Sequence, residues 1–172
     1  MRITQLMAAF MTTLTVVGCG SLGTQFATVA EPDSGDKARV RVVRAATAFV
    51  RAIPGQDCLD WSAPGAGTVI GGIVGASGFK DRKIDMPVSA LSKQYTSAEM
   101  YVAANKPIVF TMLTGPDGRL SCSVSATFVP EKNKDYEVFF GMDRKVCVAN
   151  VVSLSEPNTK VEFSQPEDSC KK

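Results

Sequence analysis

The sequence predicts an all-β chain, an antiparallel β-sandwich of about seven to eight short strands with one long glycine-rich loop. Three observations support this fold class. Short segments alternate apolar and polar residues with a period of two. Turn residues separate these segments at intervals of about 8–12 residues. Long segments with a helical period are absent from the sequence.

The first predicted strand is 38–42, in which apolar and charged residues alternate. The second is 48–53, which ends where Pro54 and Gly55 form a turn signal. The long loop follows at residues 54–87, which hold 7 of the 14 glycines and 3 of the 9 prolines. We therefore expect little regular structure in this loop.

The remaining strands lie in the second half of the chain, after a short helical turn near residues 89–93. Alternating or β-branched segments separated by turn residues predict strands at 99–103, 108–113, 120–128, 136–140, 146–154 and 161–163. Because the connections between the last five are short, we expect these five strands to form a meander.

The cysteine count predicts two disulfides in an exported domain. Of five cysteines, Cys19 belongs to the N-terminal segment, which leaves Cys58, Cys122, Cys147 and Cys170. In a meander, two strands with one strand between them lie about 9.6 Å apart, whereas a disulfide needs Cα atoms within about 7 Å. This geometry favours Cys147–Cys170 and Cys58–Cys122, although strands that switch sheets would permit Cys122–Cys147.

The N-terminal segment has the order of an export signal. Arg2 precedes a largely apolar stretch at residues 6–17, and small residues follow. This stretch is shorter than the roughly 20 residues that span a bilayer. The alternative, a buried first helix of the domain, lacks the polar stripe that such a helix would carry.

The end of this segment, Val16-Val17-Gly18-Cys19, resembles the lipobox of bacterial lipoproteins. The resemblance implies that the chain is cleaved before Cys19 and that Cys19 carries diacylglycerol and an N-linked acyl chain such as palmitate. Gly20, which is not Asp, implies sorting to the outer membrane. We therefore predict a signal peptide at 1–18, the lipidated Cys19 and a flexible tether at 19–37, and a single domain at 38–172.

Two later segments resemble turns of bacterial surface lipoproteins with PEGA-like or immunoglobulin-like sandwiches. They are AANKPI at residues 103–108 and FVPEKNKDYEV at residues 128–138. Asn105 stands where that family has a glycine, and Asn133 is a residue that permits a positive φ. The resemblance covers roughly residues 98–152, and it implies a sandwich fold but carries over no functional residue.

Composition excludes several classes of chemistry. The 172 residues include no histidine, which removes Ser-His-Asp and Cys-His catalysis, His-liganded zinc and proximal-His haem. A net charge of +2 is too balanced to indicate a nucleic-acid partner. We expect no metal and no other cofactor.

The long loop contains the candidate binding residues. Trp61 offers a flat apolar face to a glycan, and a basic cluster at Lys80, Arg82 and Lys83 could contact anionic lipid head groups or phosphorylated glycans. The ordinary interpretations are a packed tryptophan and a solvated turn. Asp57 and Asp60 beside Trp61 are the only carboxylates considered for acid–base chemistry, and we expect no catalytic residue.

Two further patterns have both a structural and a functional interpretation. Gly67, Gly71 and Gly75 recur every four residues, as in a glycine zipper that permits close approach of helices, or they supply turns in a surface loop. Three arginines of the first strand are expected to protect an edge strand against aggregation; they are Arg39, Arg41 and Arg44.

These observations predict a lipid-anchored, non-enzymatic protein of the cell envelope with a binding or structural role. Its expected location is the outer membrane, facing the periplasm. Its expected partners are the membrane, through acylated Cys19, and an envelope protein or glycan. The alternative is a periplasmic hydrolase or inhibitor that uses the loop 54–87.

Overall fold

The computed structural model of the chain describes residues 27–71, 77–114, 122–144, 146–157, 159 and 161–171. The predicted signal peptide and lipobox, including Cys19, lie outside the described residues. The all-β prediction is confirmed. The described part contains one short helix and eight strands: β1 (Lys37–Arg44), β2 (Ala48–Pro54), β3 (Gly67–Ile70), α1 (Ala90–Gln94), β4 (Thr96–Ala103), β5 (Ile108–Thr114), β6 (Ser123–Phe128), β7 (Asp135–Asp143) and β8 (Val146–Ser153).

The strands form two sheets of four. The β1 sheet has the order β4-β1-β7-β8, and the β2 sheet has the order β3-β2-β5-β6. Neighbouring strands are antiparallel, with one exception, because β1 and β7 run parallel. β1 therefore lies inside its sheet, with β4 on one side and β7 on the other.

The expected meander of the last five strands is wrong. β5 and β6 form a hairpin in the β2 sheet, whereas β7 and β8 form a hairpin in the β1 sheet. The chain crosses between the sheets after Phe128, and two turns near the crossing place Asn105 and Asn133 at positive φ. Alternation along a strand shows which side chains are buried. It does not show to which sheet the strand belongs, because strands of both sheets bury alternate side chains.

A single cluster of buried side chains draws on both sheets. The β1 sheet contributes Val40, Val42, Met100, Val138 and Phe140, and the β2 sheet contributes Val50, Ala52, Phe110, Met112 and Phe128. These are the alternate residues of each strand, as the period of two requires. A second, smaller cluster lies on the other face of the β2 sheet, where the loop after β2 covers it; it comprises Ile53, Ala63, Ala66 and Val109.

The disulfides are Cys58–Cys170 and Cys122–Cys147, with Cα atoms 5.1 and 6.1 Å apart. The favoured pairing of Cys147 with Cys170 and of Cys58 with Cys122 is therefore wrong. Cys122 precedes β6 and Cys147 lies in β8, and these strands belong to different sheets. Because β6 and β8 belong to different sheets, no strand of a common sheet lies between Cys122 and Cys147.

The long glycine-rich loop contains a strand that the sequence analysis did not predict, β3. Its first residue, Gly67, lies against the N-terminal segment, because a Cβ atom there would be 2.6 Å from the backbone nitrogen of Val29. The glycine-zipper interpretation is wrong, since Gly67 is in a strand and Gly71 has a φ of +82°. Gly75 lies outside the described residues.

Residues 27–31, which belong to the expected tether, contact the folded domain. Thr28 bridges Thr68 of β3 in parallel orientation, and the amide of Ala30 donates to the carbonyl of Gly65 at 2.9 Å. The Glu31 carboxylate accepts the amide of Tyr101 at 2.7 Å. Hydrogen bonds therefore hold residues 27–31 of the expected tether against the domain.

Candidate functional site

The residues of the predicted binding loop lie on different sheets. The Trp61 ring packs on the smaller cluster, outside the β2 sheet, and the Arg51 guanidinium lies 4.0 Å from its centroid. The basic cluster instead lies beside β4 of the β1 sheet, where Lys83 donates to Ser97 at 2.7 Å. The structure therefore does not bring the tryptophan and the basic cluster together.

The basic cluster makes contacts within the protein. Arg82 pairs with Glu31 at 3.1 Å and its guanidinium carbon lies 4.6 Å from the Phe79 ring centroid. Lys80 is 3.9 Å from the Asp81 carboxylate. The contacts of Arg82 and Lys83 attach this segment to the domain, as expected of a structural turn.

The two aspartates considered for catalysis also occupy different environments. Asp60 accepts hydrogen bonds from the amide of Ser62 at 2.9 Å and from its hydroxyl at 2.5 Å, which is the geometry of a local turn. Asp57 lines a groove that is described below.

The arginines of β1 do not protect an edge, so that prediction is wrong. Arg41 is fully buried on the face of the β1 sheet opposite the shared core, in register with Glu99 of β4 and Glu137 of β7. Its guanidinium nitrogens lie 2.7 Å from Glu99 and 3.3 Å from Glu137. One row along, Arg39 pairs with Asp135 at 2.7 Å. Both arginines belong to an interior strand, which parallel pairing with β7 creates.

Residues 84–89, here called the covering segment, lie over this charged row. Arg41 donates to the carbonyls of Met86 and Pro87, and the Ser89 hydroxyl donates to Glu137 at 2.5 Å. Ser89 also caps α1 through a capping box with Ser92. The buried charges therefore hold an otherwise irregular segment on the sheet.

Glu99 remains ionised in this row. Burial raises its pKa, but the Ile84 amide at 2.6 Å and the Arg41 guanidinium together hold the pKa below its ordinary value. Arg44 lies at the end of β1 and donates to the carbonyl of Ala48. Burial lowers the pKa of Arg44, while Asp81 opposes this effect.

A groove of about 1250 Å³ lies at one end of the two sheets. It lies where β6 ends, β7 begins and β8 ends, and the C-terminal segment forms one wall. Its lining residues are Asp57, Pro107, Thr127, Phe128, Val129, Glu131, Lys134, Tyr136, Ser153, Glu156, Thr159, Val161, Glu162, Phe163 and Ser164.

An aromatic pair of the shared core borders the groove, with side chains that are 4% and 5% exposed. The rings of Phe128 and Tyr136 are tilted, with centroids 5.3 Å apart. The Tyr136 hydroxyl accepts a hydrogen bond from the amide of Glu131 at 3.0 Å, and burial raises the pKa of the phenol. Tyr136 is therefore a neutral group that is fixed in place.

Carboxylates dominate the polar part of the lining. Glu156 pairs with Lys134, the lysine that lines the groove in the described part of the chain. Asp57, Glu131 and Glu162 form no ion pair with any described residue. The described lining thus carries four carboxylates and one ammonium group, although the chain as a whole is cationic.

One buried side-chain oxygen in β6, beside the groove, lacks a described partner. Thr127 is 7% exposed, and its backbone amide and carbonyl both pair with Ser164. Its side-chain oxygen is buried, with no hydrogen-bond partner among the residues that the structure describes. Leaving such a hydroxyl without a partner costs free energy.

Of the groove residues, only Asp57 was a sequence-based candidate for chemistry. The others come from four separate parts of the chain, near residues 107, 127–136, 153–156 and 159–164. No local motif joins them, because the sheet switch after β6 brings them together. The alternation of Val161, Glu162 and Phe163 is a weak signal of a half-buried segment at the groove.

Comparisons with known proteins assign no family. No protein-family model matches the chain, and no curated protein is significantly similar to it. Within the described ranges, no helix has the length and hydropathy to cross a membrane. The same residues include no group of three or more Cys, Asp or Glu side chains that could hold a metal ion. We therefore infer the function from the groove.

Proposed function

We propose that this chain is a lipid-anchored, non-enzymatic protein of the cell envelope that binds a partner in the groove. The observation that supports binding is the groove of about 1250 Å³, whose described lining combines apolar side chains at Val129, Val161 and Phe163 with four carboxylates. Binding sites typically combine apolar surface with a few polar groups in this way. The lining does not include Asp60, so a pair of Asp57 and Asp60 is not available there for acid–base chemistry.

We further propose that the two sheets form a β-sandwich. The cluster that draws on both sheets supports this packing, since alternate residues of each strand point into one core. The resemblance of residues 98–152 to PEGA-like or immunoglobulin-like lipoproteins agrees with it.

The proposed location is the outer membrane, facing the periplasm. The support is the lipobox resemblance at Val16 to Cys19 and the presence of Gly20. Two disulfides are consistent with an oxidising compartment. We expect Cys19→Ala to abolish labelling with radioactive palmitate, and labelling that persists in this variant would contradict the anchor.

Site-specific photo-crosslinking in living cells tests binding in the groove. A photoreactive amino acid at Val129, which lines the groove and is 54% exposed, should give one discrete adduct. The matched control is Val146, which is 63% exposed at the other end of β8.

Phe163→Ala removes an aromatic side chain from the groove and should weaken the adduct formed at position 129. Identical adducts from positions 129 and 146, or an adduct that does not respond to Phe163→Ala, would contradict a binding role for the groove. A protein that accumulates normally and forms no adduct at position 129 would also contradict it.

A further inference from the structure

We propose that the Cys58–Cys170 disulfide is a redox-sensitive latch that holds one wall of the groove in place. A dithiol reductant would open this bond, release the C-terminal strap (residues 161–171) and stop partner binding, while both sheets stay folded. This inference rests on the proposed binding function and adds a means of regulating the same site. The bond joins two segments that belong to neither sheet, since Cys58 follows β2 and Cys170 lies in the strap.

Few hydrogen bonds attach the strap to the rest of the chain. Ser164 exchanges two backbone hydrogen bonds with Thr127, at 2.8 and 3.0 Å, and the amide of Leu59 donates to the carbonyl of Glu167 at 2.9 Å. The strap forms no further backbone hydrogen bond with another described segment. An interior strand such as β1 is instead paired along its whole length. The disulfide therefore contributes much of what holds the strap against the domain.

The strap also buries little apolar surface. Val161 and Phe163 are half-buried against the shared core and Pro166 is buried, whereas the side chains at 162, 164, 165, 167–169 and 171 are exposed. Segments with little burial and few hydrogen bonds open locally at a low cost in free energy, and the rest of the protein stays folded. We therefore expect the strap to detach once the covalent bond is open.

Release of the strap changes the groove directly. Val161, Glu162, Phe163 and Ser164 belong to the strap and line the groove together with residues near β6, β7 and β8. Without the strap, the groove loses one wall and two of the apolar side chains to which the proposed function assigns partner binding. Neither cysteine of the latch belongs to the lining, so the bond acts on the groove through the position of the strap.

The second disulfide holds no comparable segment. Cys122 is bonded through its backbone to Thr114 of β5, and Cys147 lies within β8, which pairs with β7 along its length. Opening Cys122–Cys147 therefore leaves both cysteines attached to a sheet. This bond is the matched control for the latch.

Thiol–disulfide exchange opens the latch from the side of Cys170, because Cys170 is half-buried whereas Cys58 is 6% exposed. A thiolate of the dithiol bonds to the Cys170 sulfur, and the Cys58 sulfur leaves with the electron pair and takes up a proton. The second thiol of the reductant then displaces Cys170, gives it a proton and closes the disulfide of the reductant. Two electrons thus pass from the dithiol to the latch, which becomes two thiols.

A titration of the full-length protein with dithiothreitol tests the release. Alkylation and mass spectrometry count the open disulfides, and hydrogen exchange follows individual amides. We expect opening of Cys58–Cys170 to remove the protection of the amides of Leu59, Thr127 and Ser164, which bond to or within the strap. The amides of β1 and β5 should stay protected. Protection that the strap contacts retain after the bond opens, or that the sheets lose at the same step, would overturn the proposal.

Paired variants test the effect on binding without a reductant. Cys58→Ala together with Cys170→Ala should weaken the adduct at position 129 about tenfold, with β1 and β5 still protected from hydrogen exchange. Cys122→Ala together with Cys147→Ala should leave the adduct unchanged. Equal losses from the two pairs would indicate general destabilisation and would contradict a latch.

The remaining outcomes distinguish the latch from the proposed function. If the unmodified protein forms no adduct at position 129, both fail. If the adduct forms and persists after the strap is released, the groove remains a binding site and its regulation by the latch is contradicted. A stronger adduct after release would show that the strap shields the groove, which is also contrary to the proposal.

Discussion

At the scale of single residues, Arg41 is the side chain on which the β1 sheet depends most. Its guanidinium is buried between Glu99 and Glu137 and also donates to the covering segment. Arg41→Met would leave two buried carboxylates without their cation, and loss of one partner of a buried pair costs about 3–5 kcal/mol. We expect a decrease of that size in the free energy of unfolding measured by urea titration.

The matched control for Arg41 is Arg39→Met. Arg39 lies on the same face of the same strand, but its side chain is 34% exposed. Its partner Asp135 is 6% exposed, and an unsatisfied buried acceptor costs about 1–3 kcal/mol, so this variant should lose less stability than Arg41→Met, which affects two buried carboxylates. Equal losses of stability from the two substitutions would show that burial of Arg41 does not determine how much it contributes.

Glu99 gives the β1 sheet a dependence on pH. The pKa of Glu99 in the folded chain lies below its ordinary value of 4.5. A group with a depressed pKa contributes stability above its unfolded pKa and loses it as the pH falls through the folded pKa. We therefore expect the free energy of unfolding to decrease as the pH falls below about 4.5.

Glu99→Gln tests the source of this acid sensitivity. The amide cannot titrate, so the variant should be less stable at neutral pH and should lose less stability between neutral and acidic pH. Urea titrations at several pH values measure this loss. If the variant loses as much stability in acid as the unmodified protein, other carboxylates cause the acid sensitivity.

At the scale of elements, the two disulfides close loops of different length. Cys58 and Cys170 are 112 residues apart, whereas Cys122 and Cys147 are 25 residues apart. In the chain-entropy model these separations correspond to about 4.8 and 3.5 kcal/mol. The paired alanine variant of Cys58 and Cys170 should therefore lose more stability than that of Cys122 and Cys147.

Urea unfolding of both double variants under oxidising conditions measures the two losses. The control is the unmodified protein in reductant, which should lose at least as much as either double variant. The reverse order would show that the link between β6 and β8 stabilises the folded state beyond its effect on the unfolded chain.

The sequence predicted elements better than their arrangement. Alternation predicted β1 and the long strand around β6, because a buried side chain every second residue leaves a visible pattern. It did not predict β3, whose four residues are all buried and show no alternation. Residues 161–163 were expected to form a strand, but the described contact there is a single bridge between Thr127 and Ser164.

Arrangement depends on partners that are distant in the chain. The alternating charges of β1 are compatible with an edge strand in water or with an interior strand between acidic neighbours. The parallel pairing of β1 with β7 is what makes β1 an interior strand. This pairing joins residues that are distant in the chain, since Arg41 and Glu137 are 96 residues apart. The groove was not predicted, because its lining residues also come from distant parts of the chain.

At the scale of the whole molecule, the groove and the N-terminal segment lie at opposite edges of the β2 sheet. Residues 27–30 contact β3 at one edge, and the groove begins where β6 ends at the other. Three strand spacings separate these edges, which corresponds to about 14 Å. The proposed anchor precedes residue 27, so the chain leads to the anchor from the β3 edge. The groove lies at the other edge of the same sheet.

The proposed anchor restricts how the domain can face the bilayer. A fully extended chain from Cys19 to residue 27 reaches at most about 28 Å, so the edge at β3 cannot move far from a membrane that holds Cys19. Pro64 is exposed at this edge, next to Gly65, which accepts the amide of Ala30. The reach of the tether exceeds the separation of about 14 Å between the two edges, so we expect the groove to lie farther from the membrane than the β3 edge on average, without a fixed orientation.

Fluorescence quenching by lipids that carry a nitroxide tests this orientation in reconstituted vesicles. A fluorescent amino acid at position 64 should be quenched more strongly than one at position 129 in the groove, and Cys19→Ala should abolish quenching at both. Stronger quenching at position 129 would place the groove against the bilayer, where no partner could enter it. Equal quenching at the two positions would show that the β3 edge is not held closer to the membrane, and the argument from chain length would fail.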